Sequence, residues 1–229
     1  MYERPGRILV QLGLGLTGMI SQGGTNEFSK TTGDPTFTAS PVSGTPAFTA
    51  EASFMEQISA SHDISEAAFN PLDNEWFAGV YAAVTFGNQT TASTFGTGAS
   101  LGTTTNFEVS SGLKIGFVPA SEPNVMFYGK LGGVGARETA FINFVPGVTQ
   151  STQFVPGLEA GIGTQIGLQG IPGVSVFMEF KQDSFRNVNL DGGVASPLFN
   201  YQFKLQQRSV TAGISVDLDG FRYLSLNAR

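Results

Sequence analysis

The residues with chemistry to offer are charged side chains set singly among glycines and apolar neighbours: Glu51, Glu108, Lys114, Lys130, Glu159, Glu179, Lys181, Asp183 and Asp217. Carboxylates and ammonium groups on one face can form ion pairs, line an ion path or work as paired acids and bases. Catalysis of the hydrolase type needs more. The one histidine, His62, stands in Ser61-His62-Asp63, and three consecutive residues cannot converge as a triad, which draws its members from separate elements. His62 reads as part of a solvated turn. No His/Asp/Glu set has metal-ligand spacing, and Asp191-Gly192-Gly193 is a turn signal rather than a calcium loop. Gly132-Gly133-Val134-Gly135 and Gly161-Ile162-Gly163 have no helix following, so they do not cradle phosphate. They leave room for bulky neighbours. The expectation is no catalytic residue, no metal and no cofactor.

The elements that must position these charges are strands. In the stretch Phe154 to Phe185, the even positions Phe154, Leu158, Ala160, Ile162 and Ile166, then Val174, Val176, Met178 and Phe180, are apolar. Glu159, Gln165, Glu179, Lys181 and Asp183 take the odd positions. Side chains alternate faces along a strand, so each strand has one greasy face and one face of charge and glycine. A helix would space its apolar residues three and four apart. The same alternation predicts strands over 7–20, 47–58, 75–87, 107–118, 124–137, 154–166, 174–185 and 203–218. Residues 8–20 alternate and lack a small-x-small cleavage site, so they read as a strand and not as a signal peptide. The intervening Gly, Ser, Thr and Pro-rich segments read as connections. Those at 21–46, 88–106, 138–152 and 187–202 are long, and those at 59–74, 119–123 and 167–172 are shorter. Residues 64–69 could form a helical turn. In an up-and-down barrel alternate connections share an end, so all the long ones meet at one rim.

Composition narrows the class. At 229 residues with no internal linker, the chain suits a single barrel over 1–218 with a C-terminal extension over 219–229. Charged residues are 13%, about half the share usual in soluble domains. Glycine (30) and phenylalanine (20) are abundant, and mean hydropathy is only +0.05. No apolar run approaches the ~18 residues of a transmembrane helix, whereas barrel strands need only one apolar face. A net charge of −6 without a basic cluster excludes nucleic acid as a partner. The absence of cysteine excludes disulfides and thiolate metal sites.

Parity alone does not say which face points out. A soluble ligand carrier hides its apolar face; a membrane barrel exposes it. The polar face here is too rich in Gly, Ser and Thr for a water-exposed wall. The apolar face is continuous on all eight strands. Trp76, Phe86, Phe107, Phe117, Phe154 and Phe180 sit on it as candidate interfacial aromatics. Only a closed sheet can span lipid, because it has no unpaired edge. The expected fold is all-β, an eight-stranded antiparallel up-and-down transmembrane β-barrel. Glu51, Glu108, Lys114, Lys130, Glu159, Glu179 and Lys181 then face the lumen, where buried charges must pair. Glu159 and Glu179 are expected to pair with Lys114, Lys130 or Lys181.

Three segments resemble the small eight-stranded outer-membrane barrels of the outer-membrane protein A and opacity-porin group. Gly157-Leu-Glu-Ala-Gly161 is similar to that group's sixth strand. Phe177-Met-Glu-Phe-Lys-Gln-Asp-Ser-Phe185 is similar to its seventh. Ser209-Val-Thr-Ala-Gly-Ile-Ser-Val-Asp-Leu218 is similar to its closing strand. The chain departs from the family where a C-terminal aromatic would end the barrel, because Asp219 to Arg229 continue past Leu218. The resemblance implies a multi-pass protein of the bacterial outer membrane. Its partners would be the lipid bilayer with its lipopolysaccharide, and other envelope proteins through the loops or the 219–229 tail. A structural or surface-interaction role is the leading reading. A narrow porin, a subunit of a larger membrane-associated assembly, and a soluble lipocalin-like barrel binding an apolar ligand stay open.

Overall fold

A computed structural model describes residues 8–23, 25–29, 37–38, 40–41, 46–58, 75–95, 99–119, 121–144, 147–191, 200–203 and 205–218. His62, the helical turn expected at 64–69 and the 219–229 extension lie outside the described residues. Eight antiparallel strands form the barrel: β1 (Ile8–Gly23), β2 (Ala47–Gln57), β3 (Glu75–Phe95), β4 (Ala99–Val118), β5 (Val125–Phe144), β6 (Gly147–Gly167), β7 (Val174–Phe185) and β8 (Gln206–Asp217). Each pairs with its sequence neighbour, and β8 pairs back onto β1. The ladder is therefore closed, and no barrel strand leaves a row of backbone donors unmet.

The stagger can be read from the register. One row of partners runs Phe117, Phe127, Thr164, Met178, Ala212, Leu16, Phe48, Phe86 and arrives at Phe107. It starts and ends on β4, ten residues apart (117 − 107 = 10). That shear tilts eight strands by about 40° and leaves an interior that side chains can fill.

Two of the segments expected to be loops are strand. β3 and β4 continue past the barrel as a paired hairpin to Phe95 and Ala99, and β5 and β6 do so to Phe144 and Gly147. Only 96–98 and 145–146 separate the paired arms. Their Thr, Ser and Gly composition reads as loop. Threonine is nonetheless a good strand former, and opposed threonines hydrogen-bond across the ladder. Thr90 pairs with Thr104 and Thr139 with Thr152, each at 3.0 Å. Residues 21–46 and 187–202 also contain strand. Val188–Asp191, Asn200–Phe203, Thr25–Ser29 and Phe37–Thr38 form a small separate sheet at the same rim. The closing strand begins at Gln206, not 203.

Among the described residues, the connections at the opposite rim are tight turns. Val125 N–H donates to Glu122 O, and Leu168 N–H to Val174 O. Gly170 and Gly173 take φ of 88° and 77°, a region that favours glycine. Asp217 N–H donates to Gly173 O at 2.7 Å and ties the end of β8 to that turn.

The alternation resolves in one direction. Leu14, Leu16, Leu113, Leu131, Leu158 and Ile162 point outward, and Leu158 is 69% exposed. Glu108, Lys114, Lys130, Glu159, Glu179 and Lys181 point inward and are buried. Water-soluble monomers rarely expose contiguous apolar patches above a few hundred Å², and this wall encircles the barrel. With a fluorophore on a single introduced cysteine in this cysteine-free chain, Leu158→Cys and Ile162→Cys should be strongly quenched by brominated lipid. Gln150→Cys, exposed on the projecting hairpin, should not be.

Candidate functional site: the filled lumen

The lumen is stacked in layers between the two rims. At the short-turn end, Leu9, Met55, Phe77, Met126 and Tyr128 pack into a buried apolar floor. A vestibule of about 370 Å³ opens beneath it, lined by Gln11, Val118, Gln165, Ile171 and Asp217 among others. The floor follows from the pattern: these are the inward positions nearest the strand ends, and they carry large side chains instead of glycine or charge.

Above the floor lies a balanced layer of two acids and two bases. Lys114 Nζ stands 3.0 Å from Glu51 Oε1, and Lys130 Nζ stands 2.5 Å from Glu179 Oε2. Lys130 also pairs with the second oxygen of Glu51. Lys114 and Lys130 are direct partners across β4 and β5, so like charges sit side by side and Glu51 bridges them. Aromatic faces complete the surroundings of both ammonium groups. Lys114 Nζ is 4.3 Å from the Tyr128 ring centroid, and Lys130 Nζ is 4.7 Å from that of Tyr81.

The next layer is acidic. Lys181 pairs with Glu108, with Glu159 at 3.2 Å and with Asp183 at 3.3 Å. Tyr81 reaches up from below and its hydroxyl donates to Glu159 Oε1 at 2.6 Å. Glu108, Glu159 and Asp183 come from β4, β6 and β7, and their ligand oxygens lie within 4.8 Å of one another. Linear spacing could not show this cluster, because three different strands supply it. Across the lumen the wall is neutral: Thr211, Thr17, Thr49 and Thr85 form a chain of hydroxyl contacts at 2.7, 2.5 and 3.0 Å. Toward the hairpins, Gln207 Nε2 donates to Gln89 Oε1 at 2.7 Å and Thr105 Oγ1 to Glu138 at 2.5 Å.

Glu51, Glu108, Lys114, Lys130, Glu159, Glu179 and Lys181 are thus brought together as two linked clusters. Sequence reasoning missed Tyr81, Tyr128 and Glu138. Glu138 falls in a stretch read as loop. Tyr81 and Tyr128 alternate with apolar neighbours and so fall on the polar face, and the glycines opposite them are the signal. A Cβ on Gly163 would lie 2.4 Å from the Tyr128 ring, and one on Gly132 would lie 2.5 Å from the Tyr81 hydroxyl. Phe177 likewise covers Gly13 and Gly15. Gly133 and Gly135 instead face outward; the Phe154 ring lies over Gly135.

The aromatics divide into two levels with one exception. Trp76 and Phe117 stack at 4.8 Å near the short turns, and Phe86 and Phe107 at 5.2 Å near the hairpins. Arg137, paired laterally with Phe154, shares the upper level. Phe180 sits in mid-wall between Ile162 and Val210, because the tilt and the continuation of β7 to Phe185 keep it from the rim.

An apolar wall outside and ion pairs within are the reverse of a water-soluble barrel. The fold is that of an eight-stranded transmembrane β-barrel. No family model matches the sequence, and no curated protein matches it. Solved structures do. The attachment invasion locus protein Ail of Yersinia pestis, in complex with the heparin analogue sucrose octasulfate, is 13% identical over 93% of this chain and 99% of its own, with a TM-score of 0.37. Neisserial surface protein A is 13% identical over 94% and 100%, TM-score 0.38. The outer membrane protease OmpT from Escherichia coli is 8% identical over 95% and 99%, TM-score 0.43. The barrel's own wall and lumen, rather than these likenesses, decide what it can do.

Removing one member of the balanced layer leaves its partners charged and buried. Lys130→Met is expected to lower unfolding free energy in detergent by about 3–5 kcal/mol, measured by urea titration. The glycine pairs give a sharper contrast. Gly163→Ala should cost about 1–3 kcal/mol through overpacking against Tyr128. Gly133→Ala meets nothing within 4 Å and should stay within about 0.5 kcal/mol of the parent.

Proposed function

We propose that the protein is an integral barrel of the bacterial outer membrane with a structural or surface-interaction role, and that its hairpins are the contact surface. One observation carries the reading: the lumen is filled by buried, paired side chains, so what the molecule offers its surroundings is its wall and its rim. The lumen carboxylates support a role without catalysis, because Glu159 and Asp183 are 1% and 0% exposed and no substrate reaches them.

Charge on the outside supports an orientation. Among the described residues, Arg137, Arg186 and Arg208 are exposed on the hairpin side of the belt, while Glu56 and Glu122 are exposed on the short-turn side. Guanidinium groups suit phosphate, so the hairpin rim fits a leaflet of anionic headgroups such as lipopolysaccharide. The projecting arms then stand in the polysaccharide layer and beyond. Their Thr90, Thr104, Thr139 and Thr152 form one cross-strand row of hydroxyls.

The narrow-porin reading requires the lumen to conduct. Reconstituted in planar bilayers, the barrel is expected to give no large, steady single-channel current. A reproducible open state carried by the wild-type chain would overturn the plugged reading in favour of a pore.

A further inference from the structure

The side chains at the short-turn end leave the lumen open there. The vestibule beneath the floor measures about 370 Å³, many times the ~30 Å³ that one water takes up in the liquid. Its lining is two-sided. Phe77, Val118 and Met126, from β3, β4 and β5, are apolar, whereas Gln165, Ser175 and Gln11, from β6, β7 and β1, are polar. Gln165 Nε2 donates to Ser175 Oγ at 2.6 Å, and Ser175 Oγ donates to the Ser215 carbonyl at 3.4 Å. Gln11 is 5% exposed, and its Oε1 has no hydrogen-bond partner. An amide oxygen can only accept, so the pocket fits a donor carried on an apolar body.

The register brings one stretch of the chain to that oxygen. Gln11 is the direct cross-strand partner of Asp217, the last residue of β8, and Asp217 lines the vestibule too. The backbone therefore leaves the barrel at the vestibule mouth. It continues through Leu218 as Asp219-Gly-Phe-Arg-Tyr-Leu-Ser-Leu-Asn-Ala-Arg229. Asp219-Gly220 is a turn dipeptide, able to reverse the chain. Phe221 and Tyr223 stand two apart, so an extended segment carries both rings on one side and Arg222 on the other. Three to five residues past Leu218 reach about 10–18 Å at most, and Gln11 is only one strand away. Charge agrees. Among the described residues the charged groups at this end, Glu56, Glu75, Glu122 and Asp217, are all acidic, and Arg222 complements them.

We propose that the vestibule is the docking site of the chain's own 219–229 extension, with the Phe221 ring packed on Phe77 and Met126 and the Tyr223 hydroxyl donating to Gln11 Oε1. A phenol joins an apolar ring to a polar tip and so matches both sides of the pocket. Arg222 then faces the acidic rim. The extension is a plug that belongs to the barrel, not an arm held out for a neighbour. This inference stands on the short-turn end alone and holds whatever the hairpins contact.

The test uses the full chain folded in detergent. With benzoylphenylalanine in place of Tyr223, irradiation should give a crosslink within one barrel, to the peptide holding Met126 or Gln11. Accessibility gives a second readout. Val118→Cys introduces the chain's only cysteine, in the vestibule lining, and is expected to react slowly with a water-soluble maleimide. Cutting the chain after Leu218 should speed that reaction at least about 10-fold, because two aromatic rings leave the pocket. Tyr223→Phe keeps the ring and loses the donor, and should speed it about 2- to 10-fold. Glu122→Cys, exposed on a neighbouring turn, should react at one rate throughout. If the shortened chain fails to fold, Phe221→Ala combined with Tyr223→Ala in the full chain carries the same comparison. Crosslinks found only to detergent or to a second barrel would overturn the site. So would Val118→Cys labelling that is indifferent to both the truncation and the double substitution. Protection lost on deleting residues 1–7 but kept without 219–229 would also overturn it, because the N-terminal segment would then be the occupant.

Discussion

The structure depends on three ammonium groups in a space closed to water. Lipid against the outer wall requires apolar side chains there, and strict alternation then sends every other residue inward. A barrel with a shear of ten has too little interior for a water column and too much for glycine alone. Polar side chains must fill it, and any charge among them must be met. Lys114, Lys130 and Lys181 do this for carboxylates drawn from four strands, β2, β4, β6 and β7. Each lysine contacts at least one carboxylate from a strand that is not its neighbour in the sheet, so the ion pairs also fix how the walls face one another.

Size is matched as closely as charge. Tyr81, Tyr128 and Phe177 each extend over a glycine on another part of the lumen wall. The glycines are therefore not loose points in the strands. They are where the lumen makes room for rings that shield the lysines and carry a hydroxyl to Glu159. A Cβ at Gly163 or Gly132 would push those rings off the ammonium groups, so packing and electrostatics fail together there.

The alternation of apolar and polar residues made the eight strands and their inward charges legible, because that signal is local. β2, β7 and the sixth-strand segment around Glu159 are read within a residue or two. The hairpin arms were not legible. Thr90, Thr104, Thr139 and Thr152 look like loop residues one at a time, and only their cross-strand contacts make them strand. The same holds for the lumen. That Glu159 and Glu179 face lysines follows from parity and closure, but which lysine each meets depends on shear, tilt and side-chain reach. The grouping of Glu108, Glu159 and Asp183 is invisible in sequence because no two of them share a strand.

The layers also bear on whether the lumen could serve as a path. An ion entering from the hairpin side meets first an acidic layer, then a layer of two acids and two bases already paired with one another, then the apolar floor of Leu9, Met55, Phe77 and Met126. A cation drawn to the first layer finds the carboxylates of the second already taken by lysines, and an anion is refused by the first. Either would leave its ligands for a floor with none to offer. Passage would need the ion pairs of both layers to break and the floor to part, and these barriers act in series. On the plugged reading proposed here, exchange with the surroundings is confined to the two ends, with the hairpin end the polar one.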